Sequence, residues 1–286
     1  AFHLTIFCMF RMSSTGTLME NKTYRPVVFS DWCKAEYFAD FNWQVSIHVD
    51  SFNFADRTPY KVFLQMEPPE IRNIEQKIID NSGFYDLILT WNHVILGYCG
   101  NAVLFPFGGC WTREADTSKK EFAASFLTSS KVMCPGHGLR LDIFNRLASK
   151  VGAIPVTKHK SPPMLADKRS MLVPFQFSVA MENTRRQNFF TEKLIDCFAT
   201  KTIPIYWGCP NVDEFFNPEG IIKFNNADDL EAGLAALTPE TYASRRAAIE
   251  DNYNRSLLYS DFGARVHTAI NDVWEHPEKI GGWRIR

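Results

Sequence analysis

Phe175-Gln176-Phe177-Ser178-Val179-Ala180-Met181-Glu182-Asn183-Thr184 places Phe175, Phe177, Val179 and Met181 on one face of an alternating run and ends it on a polar pair. Alternation with period two is the signature of a β-strand. A short loop follows, and the apolar spacing Leu194/Cys197/Phe198 then announces a helix that begins near Thr191. Polar residues therefore collect where a strand ends and a helix begins, the place where α/β sheets bind ligands.

The same alternation of short strands and helices extends outward from this unit. Strand-like runs occur at Leu4–Phe10, Pro26–Phe29, Gln44–Val49, Lys61–Met66, Tyr85–Thr90, Ala102–Phe105, Val151–Ile154, Thr202–Trp207 and Ile221–Phe224. Helical spacing appears at Ile71/Ile74/Ile78, at Leu139/Ile143/Leu147 and from Phe262 to Trp274. Interleaved strands and helices imply parallel sheets and an α/β fold. The polar stretch Thr112–Lys120, with the segment up to Ser130, is the best candidate boundary. Two Rossmann-like domains, 1–130 and 131–286, are expected to face each other across a central cleft, with the last helix packing back on the first.

Composition narrows the function classes. The 286 residues carry 31 basic and 32 acidic side chains, so no global field draws the chain to nucleic acid. The apolar opening Phe2–Phe10 is too short to span a bilayer, and no longer apolar run exists. Seven scattered cysteines without a C-x-x-C pair argue against a disulfide scaffold or zinc knuckle, and a reducing, cytoplasmic location is the simplest reading. The triplets Asn21-Lys22-Thr23 and Asn254-Arg255-Ser256, and a first residue that is not Met, leave the Golgi lumen open if an N-terminal anchor was trimmed. The seven histidines show no ligand spacing and no D-x-D triplet occurs, so no metal or other cofactor is expected. His137 alone, set between two glycines beside Arg140, draws attention.

Two cations stand where helix dipoles disfavour them. Lys193 lies in the first turn of its helix, and Arg140 follows Pro135-Gly136-His137-Gly138 at another helix start. A shared anion such as a diphosphate reverses that penalty, and Arg140 is able to bind it bidentately while Gly136 and Gly138 let the backbone come close. Projection of both cations into solvent is the competing account. In the first half, Lys61–Met66 runs into Glu67-Pro68-Pro69-Glu70. Glu67 is thus either a carboxylate held at a strand's carboxyl end or merely an acid at the entry of the helix that follows, with Glu70 as the alternative base.

Glu182-Asn183, Phe189-Phe190-Thr191-Glu192-Lys193 and Ile203-Pro204-Ile205-Tyr206-Trp207-Gly208 together resemble the donor motif of the α-1,3-fucosyltransferases, glycosyltransferase family 10. The resemblance is strong over Lys131–Phe224 and faint before it. It implies a GT-B type fold and an inverting transfer of L-fucose from GDP-fucose to a hydroxyl of a glycan acceptor. It places Arg140 and Lys193 on the diphosphate, Glu192 on the ribose, and Glu182, Asn183 and Phe189 in the donor site. Phe189 stands where Tyr is frequent, so a phenol contact is lost. Glu67 falls on the position of the family's proposed base. A same-fold enzyme using another sugar nucleotide, or a non-catalytic nucleotide-sugar or glycan-binding module, are the competing readings. Trp91 and Trp111 are candidate stacking surfaces for acceptor sugars.

Overall fold

The structure, a computed structural model, describes residues 45–112, 119–163 and 165–276. The expected strands at Leu4–Phe10 and Pro26–Phe29 lie outside the described residues. The contacts divide the chain at Phe105/Pro106 and again at Asp261/Phe262. Described residues up to Phe105 and from Phe262 onward form one unit, and Pro106–Asp261 form the other.

The first unit contains a parallel four-stranded sheet in the order β1 (Val45–Val49), β2 (Tyr60–Leu64), β3 (Leu87–Thr90), β4 (Ala102–Leu104). Its two short helices are α1 (Glu75–Asp80) and α2 (His93–Tyr98). Strands β1 and β3 are buried along their whole length; β3 reads as an apolar run, whereas β1 buries Ser46 and His48 among its valines and isoleucine. Phe63, Ile78, Tyr85, Ile88 and Ile95 fill the space between sheet and helices. Helix α8 (Phe262–Glu275) groups with this unit, with Phe262 against Phe105 at 6.0 Å and Trp274 against Tyr60 at 5.1 Å between ring centroids.

The second unit is built on a six-stranded sheet in the order β10-β9-β8-β5-β7-β6. Its strands are β5 (Glu121–Ser129), β6 (Lys150–Val151), β7 (Ile154–Ser161), β8 (Phe175–Met181), β9 (Ile203–Trp207) and β10 (Ile222–Lys223), and only the β6–β7 pair is antiparallel. Helices α3 (Pro135–Arg146), α4 (Glu192–Ala199), α5 (Ala227–Ala235), α6 (Pro239–Ser244) and α7 (Arg246–Ser256) accompany it. Asn226 caps α5 through the backbone N–H of Asp229, as its acidic first turn suggests. Leu194, Ile195, Cys197 and Phe198 of α4 are buried with Phe190, Tyr206 and Phe216, each large apolar side chain contributing about 1.5–3 kcal/mol.

Two expectations need correction here. The division at 130/131 is displaced to Phe105/Pro106, because the segment between Lys120 and Ser130, assigned to the first domain, contains β5, a central strand of the second sheet. Ala123, Ala124, Ser125 and Phe126 are buried in succession, so the strand shows no alternation of period two, and Ser125 donates to Ser178 on the neighbouring strand at 2.9 Å. The run Val151–Ile154 is not one strand but a tight hairpin turn, with Gly152 at φ 59°.

Candidate active site

Strand order decides where the site forms. From β5 the chain moves through α3 to β7 on one side, then returns past β5 to β8 and runs outward through β9 and β10 on the other. The β5/β8 boundary is therefore the topological switch point of the sheet, and the crevice outside the carboxyl ends of two such strands is where α/β folds take ligands. The segments that leave those two ends are 130–140 and 182–193, which hold Arg140, Glu182, Asn183, Phe189, Glu192 and Lys193.

Arg140 is only 5% exposed, which excludes the solvent-projecting account. Its Nε donates to Thr128 Oγ1 at 3.1 Å, and one Nη donates to the Met181 carbonyl and to Asn183 Oδ1 at 3.2 Å each. It sits in the second turn of α3 rather than the first, because the Pro-Gly-His-Gly stretch is itself helical. Gly136 serves a different contact from the one expected. A Cβ there would lie 2.0 Å from the Asn183 carbonyl oxygen, so the close approach is to the β8–α4 loop and not to an anion.

Thr191 caps α4, its hydroxyl accepting from the Lys193 backbone N–H at 3.3 Å. Glu182 is fully buried, and its two oxygens accept from the Thr191 backbone N–H at 2.9 Å and the Thr191 hydroxyl at 2.7 Å. Burial raises the Glu182 carboxyl, against the pull of Lys193 and of the Thr191 bonds. Gly208 packs on it, since a Cβ there would stand 2.5 Å from Glu182 Cγ, which explains a glycine after Ile203-Pro204-Ile205-Tyr206-Trp207. Glu182 is thus enclosed, with both carboxylate oxygens held by Thr191, where the resemblance implied a place in the donor site. Phe189, 1% exposed, is likewise enclosed and supports the loop rather than offering a ring face.

Lys193 Nζ lies 3.6 Å from Glu182 and 3.4 Å from Glu192, so the protein itself supplies counter-ions for the cation that looked misplaced. Burial pushes the Glu192 carboxyl up, but Lys193 and Lys168 outweigh it and bring it down to about 2, leaving an ionised acceptor beside the helix start. The other end of α4 is pinned by Asp196, which accepts from the Trp111 backbone N–H at 2.6 Å and from Lys168 Nζ at 2.5 Å. The loop before the helix is fixed by a reciprocal pair. Asn211 Oδ1 accepts from the Asn188 backbone N–H, and Asn211 Nδ2 donates to Asn188 Oδ1, both at 2.8 Å.

In the first unit Glu67 follows β2 and is half-buried. Helix α1 starts only at Glu75, so neither Glu67 nor Glu70 belongs to its first turn, and the helix-entry account falls. Asp50, at the end of β1, was not singled out from the sequence. One of its oxygens accepts from the Met66 backbone N–H and the other from that of Glu67, both at 3.0 Å, so it sets the backbone from which the Glu67 side chain leaves. A strand-end position beside a second strand end was the signal available for it. Trp91 is fully buried with Nε1 donating to the Met66 carbonyl, which removes it from the acceptor-stacking candidates. Trp111 is 71% exposed and belongs to the second unit.

Burial raises the Asp50 carboxyl from 3.8 to about 7. The folded protein then holds a proton that the unfolded chain releases, so stability falls as pH rises from about 4 to about 7. Asp50→Asn should flatten that fall in a series of thermal unfolding midpoints. An unchanged slope would show that Asp50 is ionised throughout.

Among the described residues no group of three or more His, Cys, Asp or Glu is placed to hold a metal, and no helix is long and apolar enough to cross a membrane.

Two parallel α/β units of Rossmann-like topology, one with polar residues gathered at its switch point, define a GT-B type fold. TarM, whose crystal structure shares this fold, aligns with a TM-score of 0.52 at 11% identity over 79% of this chain and 54% of that one. Residues 118–245 match the family model of the glycosyltransferase family 10 (fucosyltransferase) C-terminal part. The α-(1,3)-fucosyltransferase FucT of Helicobacter pylori is 33% identical over 119 residues, 41% of this chain and 24% of that protein. An α-(1,4)-fucosyltransferase of Arabidopsis thaliana is 32% identical over 95 residues, 30% of this chain and again 24% of the relative. The alignments thus cover about a quarter of the length of these curated relatives.

Proposed function

We propose that this chain is the catalytic region of an inverting fucosyltransferase that moves L-fucose from GDP-fucose to a hydroxyl of a glycan acceptor. The observation that carries the reading is the convergence of Arg140, Asn183, Glu192 and Lys193 on one strand-end crevice, inside the stretch that matches family 10. Ionised Glu192 suits the ribose hydroxyls, which donate to it. Arg140 and Lys193 take the diphosphate, neutralise the charge that grows on it as the glycosidic bond breaks, and fill the role that a metal ion has in other transferases. Glu67 accepts the acceptor's proton as its hydroxyl attacks the anomeric carbon from the face opposite the leaving diphosphate.

Linkage is a separate matter. The two curated relatives are named for α-(1,3) and α-(1,4) transfer, yet both align with this chain. That supports a donor-reading role for the matched stretch, with the acceptor position set elsewhere.

Nucleotide release from a panel of sugar nucleotides, with and without EDTA, tests the proposal against galactoside and N-acetylglucosamine acceptors. The expected result is GDP release from GDP-fucose alone, unchanged by EDTA. Turnover of only another sugar nucleotide would replace the donor, and donor binding without transfer would favour a binding module.

A further inference from the structure

The residue of this crevice that the proposed roles leave unused is His137. It is 4% exposed, lies in the first turn of α3, and points at Asn183. Its Nδ1 accepts from the Met133 backbone N–H at 3.0 Å, so that nitrogen is unprotonated and the ring proton sits on Nε2. Nε2–H then donates to Asn183 Oδ1 at 2.9 Å. Arg140 donates to the same oxygen at 3.2 Å. With both lone pairs of Oδ1 filled, the carboxamide has one orientation, and its Nδ2 faces away from both donors. Asn183 is partly exposed and no partner for Nδ2 occurs among the described residues.

The backbone of Asn183 is held by the same segment. Cys134 Sγ donates to its carbonyl at 3.3 Å, and Gly136 leaves room for that carbonyl. Everything α3 sends toward Asn183 thus fixes one residue and one rotation of its amide. Burial, with Arg140, Lys193 and Lys131 nearby, holds the imidazole below its ordinary range and keeps it neutral.

We propose that His137 is a positioning residue for donor binding: it locks the Asn183 carboxamide so that its NH2, a pure donor, meets the acceptor oxygens of a nucleoside diphosphate. This role rests on the donor reading above. The neutral Nε2–H tautomer is what distinguishes it from a histidine that merely fills space, because a filler has no need of a particular proton.

GDP affinity by calorimetry, beside thermal unfolding midpoints, tests it in the unmutated chain and three variants. His137→Leu removes the lock and should weaken GDP by about tenfold. His137→Gln keeps a donor at the Nε2 position and should restore affinity to within about threefold. Asn183→Asp improves the partner for Arg140 and His137 but presents an oxygen where the NH2 stood. It should keep its unfolding midpoint and lose at least tenfold in GDP affinity, roughly the cost of turning one donor into a repelling acceptor. Unaltered GDP affinity in folded His137→Leu or Asn183→Asp would overturn the role while leaving the donor reading intact. No GDP binding by the unmutated chain would overturn both.

Discussion

Replacing Arg140 by alanine is expected to lower kcat/KM for fucosyl transfer by about a thousandfold, the scale of removing a fixed donor to charge that develops in the transition state. Arg140 is buried and already oriented by Thr128, Met181 and Asn183, so no reorganisation is needed when the diphosphate arrives. The same contacts predict a structural cost. Alanine leaves Thr128 Oγ1 and the Met181 carbonyl without their donor, at roughly 1–3 kcal/mol. Activity is therefore compared well below the unfolding midpoint, and Arg140→Lys serves as the second variant. Lysine keeps the charge and loses the planar fork, so most of the rate should still be lost. A folded Arg140→Ala protein with unchanged GDP affinity and rate would remove the arginine from the diphosphate site.

Glu67→Gln should reduce kcat by about a hundred- to ten-thousandfold while GDP affinity stays unchanged. The substitution preserves side-chain shape and leaves intact the backbone N–H bond from residue 67 to Asp50. Loss of kcat without loss of donor binding separates a base from a residue that only shapes the unit. Normal turnover by Glu67→Gln would pass the role to Glu70 or Asp50, which sit beside it in sequence and in space respectively.

The candidate site on the second unit was readable because its information is local. Glu182-Asn183 ends an alternating strand, Thr191 has the chemistry of a helix cap, and Lys193 follows within one turn. What the motif did not divide was the labour among its members. Glu182 and Phe189 share the pattern with Asn183 and Lys193, yet both are buried behind them. A recurring pattern marks residues that hold a site and residues that touch a ligand alike.

Strand β5 shows the opposite case. Glu121–Ser129 buries Ala123, Ala124, Ser125 and Phe126 in a row and so shows no alternation of period two, and the domain boundary was drawn just after it, at 130/131. Its place between β7 and β8 comes from pairing with strands about 30 and 50 residues away, and pairing at that distance leaves no mark on a window of a dozen residues.

By itself the sequence determined the α/β class, the strand–loop–helix unit at 175–199 and the polar residues gathered at its end, because alternation, capping and charge are properties of neighbours along the chain. Tertiary structure alone decided that β5 and β8 lie side by side, so that 130–140 meets 182–193. Only that meeting gives Arg140 its burial and Asn183 its orientation, since each depends on a hydrogen bond to a residue at least forty positions away, beyond any local rule.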